Sequence, residues 1–450
     1  MPKSSRREFL LAPAPLLCLY GAQEDRKCEV AVFQADVTPP IGEPLCNGLV
    51  RPAETIDHPL KAKGVVFRGA SGVFALCAVD WVGLSNTSHD LFRRKLAEAV
   101  GTTPDRVAMQ AVHQHTAPGP DDDADRILRT FKGAPRIHTV EFERTAAERI
   151  AAAAGSTRFE RLTSVGMGWS AVDRVGSSRR ILQPNGKTLT RYSSSRDKNG
   201  QQAPEGRIDA YLRTISLHGD GKPLAQLHYY ASHPQTASDD GRVCWDVPGI
   251  ARERLEKESG VFQVYFTGCA GDVAMGKYND GSEEARAALA GRLYEAMVRS
   301  AKARAEGSVG PLSWKTAPLR FRPRSGAEYS EAANRAIVAD SRKSASDRIK
   351  AAMILAFRGL LLAGRTHDVS CLHLGDIRIV HLPGEPFVEY QFWSQQQKPG
   401  LGTCVAGYGD VASGYVCTDQ AYRDDGGYEQ TWSFVDPCEG PLKETIRAVL

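Results

Sequence analysis

Three histidines and a glutamate stand where apolar segments give way to loops fixed by proline or glycine. His113 and His115 lie in Val112-His113-Gln114-His115-Thr116-Ala117-Pro118-Gly119, His233 in Ser232-His233-Pro234, and Glu385 in Pro383-Gly384-Glu385-Pro386. Strand ends expose side chains on a rigid base, and enzymes built on sheets gather their chemistry there. His113 and His115 are two residues apart, so a backbone that stays extended projects both to one side, and a metal could take one or both. Two imidazoles with a carboxylate suit catalytic zinc, which takes borderline nitrogen and oxygen donors and keeps one position open for water. An isolated histidine at a strand end is more often a hydrogen-bonded structural residue, and no H-E-x-x-H signature occurs. Composition and spacing alone leave the metal reading open.

The elements that must place these residues follow from periodicity. Apolar strands are expected at 30–35, 64–68, 73–79, 107–112, 212–217, 224–230, 261–266 and 377–382, with hairpins turning at Gly69-Ala70-Ser71-Gly72 and Gly219-Asp220-Gly221. Helical patterns cover 88–100, 140–154, 250–259, 282–306 and 328–362, while 195–207 and 322–326 read as surface loops. Strand and helix alternate along most of the chain, which predicts a mixed α/β fold with mixed β-sheets covered by helices. No internal repeat or composition shift marks a boundary, so one catalytic unit is expected over 28–450.

The segments Ala35-Asp36-Val37-Thr38-Pro39-Pro40, Ala111-Val112-His113-Gln114-His115-Thr116-Ala117-Pro118-Gly119, Ser232-His233-Pro234 and Ala270-Gly271-Asp272-Val273 occur in that order. Together they resemble the successive motifs of the neutral/alkaline non-lysosomal ceramidases, from about residue 30 to the C-terminus. The resemblance implies a zinc ion held by His113, His233, Glu385 and Tyr415, with Tyr415 preferred to Tyr408 by its position in the segment. It also implies roles for three catalytic residues. His115 stands beside the metal and moves protons, Tyr428 donates to an oxyanion, and Arg179 enters the active site in competition with Arg180 and Arg174. The chemistry implied is that of a zinc-dependent amidohydrolase, in which metal-activated water attacks the amide of a small or lipid-like N-acyl substrate. Asp80, Asp209, Asp246 and Asp272 lie near the motifs, and any could support a ligand histidine.

The resemblance fails at one position. Ceramidases carry a serine in a G-D-x-S-P-N-like motif, whereas this chain reads Gly271-Asp272-Val273-Ala274-Met275-Gly276. A methyl group neither donates nor accepts a hydrogen bond, so the reaction class and the substrate must be separated. Ceramidases also carry an immunoglobulin-like C-terminal domain, while this sequence stops at Leu450, where the catalytic unit is expected to end.

With 450 residues, 42% of them hydrophobic and 24% charged, the chain can bury a sizeable core. Its net charge is +4, of which Lys3, Arg6, Arg7 and Glu8 in the first 22 residues contribute +2. No polybasic surface remains to suggest nucleic acid as a partner. Residues 1–22, with Ser5-Arg6-Arg7-Glu8-Phe9-Leu10 ahead of an apolar run, resemble a twin-arginine signal peptide, so a periplasmic or extracellular location is expected. No other stretch approaches the roughly 20 apolar residues of a transmembrane span. Cys18 falls in the leader, and the nine other cysteines form no C-x-x-C pair. A Cys404–Cys417 bridge is left open. Two rival readings stand beside the zinc hydrolase: a cysteine hydrolase using Cys269, and an exported binding protein that keeps the metal fold without turnover.

Overall fold

Three sheets absorb most of the apolar runs. The computed structural model describes residues 28–237, 239–302, 305–400 and 402–450; the expected leader lies outside them. In the first sheet the spatial order is Val107–Ala111, Gly72–Val79, Lys61–Gly69, Glu29–Asp36 and Glu160–Arg161. In the second it is Phe262–Thr267, Lys222–Tyr230, Tyr211–Gly219, Ser164–Ala171 and Ala305–Ser308. The third runs Leu312–Leu319, His367–Leu374, Ile377–His381 and Gly402–Ala406. Each sheet is mixed, with antiparallel hairpins and a single parallel pair: Gly72–Val79 with Val107–Ala111, Lys222–Tyr230 with Phe262–Thr267, and Ile377–His381 with Gly402–Ala406. The mixed α/β fold expected from the alternation is the one observed.

The central strands are buried on both faces, which is why Val73-Phe74-Ala75-Leu76-Cys77-Ala78-Val79 reads as a continuous apolar run rather than an alternating one. The helices Asn86–Val100 and Val140–Gly155 place Phe92, Leu96 and Ile150 in a cluster with Val66, Val79 and Met109 of the first sheet. A second cluster joins side chains of all three sheets, among them Leu76, Leu227 and Ile379, with Leu293 and Met297 of the helix Glu283–Lys302. A third gathers Ile349, Ala352 and Phe357 of the helix Ala345–Leu362 against Val380, Val405 and Val416. The three sheets are thus wedged together, and their strand ends meet.

Two long helical patterns are cut short. The pattern over 328–362 divides into Glu331–Ala339 and Ala345–Leu362. Asp340 accepts from the Arg342 amide and Ser344 caps the second helix by accepting from the Asp347 amide at 3.0 Å, so local side-chain bonds outcompete helix continuation. The pattern over 282–306 ends at Lys302, and Ala305–Ser308 instead extends the second sheet by pairing with Ser164–Met167. Edge pairing at an open sheet overrides the local helical signal.

Candidate metal centre

Each sheet delivers one strand end to the same point. Beyond Val107–Ala111, the amides of Val112 and His113 still bond to the carbonyls of Val79 and Trp81, and then the backbone turns, with His113 at φ 76°. The extended backbone expected to carry both histidines therefore does not persist. His113 occupies the left-handed region, uncommon for a residue with a Cβ, and that turn brings His113 and His115 to one place. Beyond Lys222–Tyr230, the His233 amide donates to the Val273 carbonyl at 2.9 Å. Beyond Ile377–His381, Glu385 pairs in parallel register with Tyr415 in a two-residue ribbon, which sets these two side chains beside one another.

Three imidazole nitrogens converge at this junction. His233 Nε2 lies 3.1 Å from His113 Nε2 and 2.9 Å from His115 Nε2. Glu385 Oε2 lies 3.2 Å from His113 Nε2 and 4.0 Å from His233 Nδ1. His113 Nδ1 donates to the Val82 carbonyl, which leaves its Nε2 as a lone pair facing the others. Glu385 Oε2 is buried with no hydrogen-bond donor. Lone pairs aimed at one another beside an unsatisfied carboxylate repel unless a cation or protons lie between them. Nitrogen and oxygen donors in this ratio fit zinc. The buried Tyr415 completes the neighbourhood: its hydroxyl oxygen accepts from Arg179 Nη1 at 2.7 Å.

Desolvation, reinforced by His113 and Arg179, depresses the His115 imidazole well below the usual histidine range. Desolvation also leads the depression of His233, followed by Arg179, His113 and His115. A depressed imidazole sheds its proton at lower pH, so both rings offer lone pairs in neutral and mildly acidic solution. Metal retention is therefore expected to be equal at pH about 7.5 and about 6, followed by elemental analysis after gel filtration; loss beginning at about 6.5, the free imidazole value, contradicts it. The same sign makes the metal-free fold lose stability as pH falls through about 6.5, because the unfolded rings then bind more protons.

The other expected residues are separated by their surroundings. Arg179 is buried and lines the main cavity, whereas Arg180 pairs with Asp424 and Glu429, and Arg174 lies over the Tyr278 ring. Tyr428 lines the same cavity, and burial raises its phenol to about 12, so it is a proton donor at neutral pH. None of the four aspartates touches a site histidine. Asp80 holds Arg252, Asp209 holds Arg213, Asp246 holds Thr236, and Asp272 accepts from the Val388 amide. The support left open for them comes instead from the Val82 carbonyl and from Tyr408, whose ring stacks on His113 at 4.2 Å and whose hydroxyl lies 3.3 Å from His233 Nδ1. Tyr408 is itself at φ 62°, held where Gln110 Nε2 donates to the carbonyls of Ala406 and Gly407. Its setting between Gly407 and Gly409 was the signal available in the sequence.

The cavity above this cluster has a volume of about 420 Å³ and takes in Cys46, Ser193, Gln235, Met353 and Trp432, none of which stood in a recognisable motif. Cys46 Sγ lies 3.4 Å from His115 Nδ1. Ala274 is buried, bridges backbone to backbone with His233, and does not line the cavity. Cys269 is fully buried, and desolvation pushes its thiol well above the ordinary range, which opposes a nucleophilic role. Cys404 and Cys417 are both free thiols. Gly414, just ahead of Tyr415, sits at φ 61°, and a Cβ there would stand 1.9 Å from the Trp432 carbonyl oxygen. Gly414→Ala is expected to cost about 1–3 kcal/mol and to displace Tyr415. A lower denaturation midpoint with weaker metal retention is the readout.

No protein-family model matches the sequence, and no curated protein matches it. Solved structures do. A ceramidase complexed with C2 superposes with a TM-score of 0.69 at 15% identity, over 94% of this chain and 75% of that one. The neutral ceramidase from Pseudomonas aeruginosa gives 0.68 at 16% identity, over 95% of this chain and 75% of that one. The chain has the neutral ceramidase fold. Within that fold His113, His233 and Glu385 follow strands of three different sheets, so the centre depends on how the sheets are wedged together. No helix among the described residues is long and apolar enough to cross a membrane.

Proposed function

We propose that this protein is a zinc-dependent hydrolase of an amide bond in an N-acyl substrate. The observation that carries the reading is the convergence of His113, His115 and His233 Nε2 with the unsatisfied carboxylate of Glu385 at the floor of a cavity. Ceramidase fold neighbours support the same reaction class. His113, His233 and Glu385 would hold the ion, with Tyr415, beside Glu385, as a further donor. When bound, zinc supplies a water acidic enough to ionise near neutral pH and polarises the carbonyl under attack.

The chain's own residues supply the rest. Tyr428 keeps its proton and donates to the oxygen that gains charge as the carbonyl carbon becomes tetrahedral. Arg179 fixes the Tyr415 oxygen by donating to it at 2.7 Å. His115, whose Nε2 faces the centre and whose Nδ1 meets Cys46, carries a proton to the departing nitrogen, since an amine leaves only once protonated. The apolar side of the cavity, with Leu49, Met353, Trp432 and Phe434, takes the acyl group. The leader expected at 1–22 places this activity in the periplasm or outside the cell.

The test is a panel of fluorogenic N-acyl amides assayed before chelation, after chelation and after reconstitution with zinc. Turnover lost to chelator and restored by zinc is expected. Zinc bound without any turnover, given that Ala274 leaves no serine hydroxyl at its position, leaves the exported binding protein as the reading to keep.

A further inference from the structure

Arg179 is an unusual cation. Its side chain is buried, yet among the described residues no carboxylate lies in ion-pair contact with it. Every acceptor it meets is an uncharged residue: the Tyr415 hydroxyl at 2.7 Å, the Ser193 hydroxyl at 2.8 Å and the Gln235 amide oxygen at 3.5 Å. Its Nε is buried with no partner at all. Ser193 donates onward to Gln235 at 2.8 Å, so the polar shelf around the guanidinium is itself ordered. Glu385 and Glu429 favour its charge only from beyond ion-pair distance, and it lines the cavity of the metal centre together with Ser193 and Gln235 with one buried donor still free. Arg180, next in the chain, shows the contrast, since it is paired with both Asp424 and Glu429.

The geometry points to a substrate that brings an anion into direct contact with Arg179: an N-acyl α-amino acid, whose carboxylate is read by Arg179 with Ser193 and Gln235 while its acyl chain lies along the apolar wall. This inference rests on the amide-hydrolase reading and narrows its substrate. In such a molecule the carboxylate carbon is two bonds from the scissile nitrogen. That short reach suits a guanidinium that already touches Tyr415. Planar guanidinium and carboxylate match in bidentate fashion, which an ammonium at this position could not reproduce. Water adds across the C–N bond: the acyl carbon takes the hydroxyl and the nitrogen takes the proton, releasing a fatty acid and a free amino acid. No other reactant is needed. The side of the cavity formed by Met353, Trp432 and Phe434 is apolar and suits an acyl chain.

The experiment compares N-octanoylglycine with N-octanoylethanolamine, which replaces the carboxylate by a neutral hydroxymethyl group, on the zinc-loaded chain and two variants. The wild type is expected to favour N-octanoylglycine by at least about tenfold in kcat/KM, the difference residing in KM. Arg179→Gln removes the cation, and Gln235→Glu supplies a competing carboxylate while keeping it; both are expected to erase the preference. Equal kcat/KM for the two compounds in the wild type overturns the inference while leaving amide hydrolysis intact. A thermal shift with N-octanoylglycine is measured in parallel. If neither compound is turned over but N-octanoylglycine alone raises the wild-type Tm, and not that of Gln235→Glu, the anion site stands and the hydrolase reading fails. A shift of equal size with N-octanoylethanolamine overturns the anion site.

Discussion

Replacing His233 by alanine is expected to lower zinc affinity by more than about a hundredfold and to abolish turnover, with the sheets intact. Even outer partners of metal ligands cost 10–100-fold when removed, and His233 is the member that contacts both other imidazoles, at 2.9 and 3.1 Å. The ring is buried and neutral and held by no aspartate, so truncation removes repelling lone pairs along with the ligand, and the variant is expected to fold. Elemental analysis and circular dichroism on the same sample separate metal loss from unfolding. Retained zinc in a folded His233→Ala chain contradicts the assignment.

The second large effect lies away from the cavity. Asp80 and Arg252 are both fully buried and joined by two bonds of 2.7 and 2.8 Å, and Asp80 also accepts from the Lys61 amide at 2.9 Å. Asp80→Ala removes two of the acceptors of the buried guanidinium, leaving it Glu253 at 3.0 Å, and is expected to cost about 3 kcal/mol, read from guanidinium chloride unfolding. Replacing both partners by apolar residues, as in Asp80→Ala with Arg252→Met, is expected to recover much of that loss, because a missing pair costs less than an orphaned charge. The pair has a further consequence. Asp80 begins the turn in which Trp81 accepts from the His113 amide and Val82 from His113 Nδ1, so the single variant is also expected to weaken metal retention.

His113, His233 and Glu385 could be singled out in the sequence because each follows an apolar strand and is fenced by proline or glycine. Those are local signals, and the three residues do meet. Arg179 could not be separated from Arg180 by any local rule: adjacent arginines differ only in which partners the fold brings to them, and Glu429 is about 250 positions away. Tyr415 was preferred to Tyr408 only by its position in the segment, for the same reason. Both lie in one glycine-rich segment, but Gln110 anchors Tyr408 behind the histidines, while the ribbon with Glu385 sets Tyr415 beside the carboxylate. His115 was expected on the right side for the wrong reason, since a left-handed His113 rather than a continued strand brings it in. The strands were legible wherever apolar runs end in turn residues. The helices at 282–306 and 328–362 were overextended because caps and edge pairing, not periodicity, decide where a helix stops.

The metal content of the purified chain is the most direct measurement. The wild type should carry about one zinc per chain by elemental analysis, and the His113→Ala and Glu385→Ala variants should be folded and empty. A wild-type chain that takes up no zinc on reconstitution, or a Glu385→Ala variant that keeps it in full, contradicts a metal centre built from His113, His233 and Glu385.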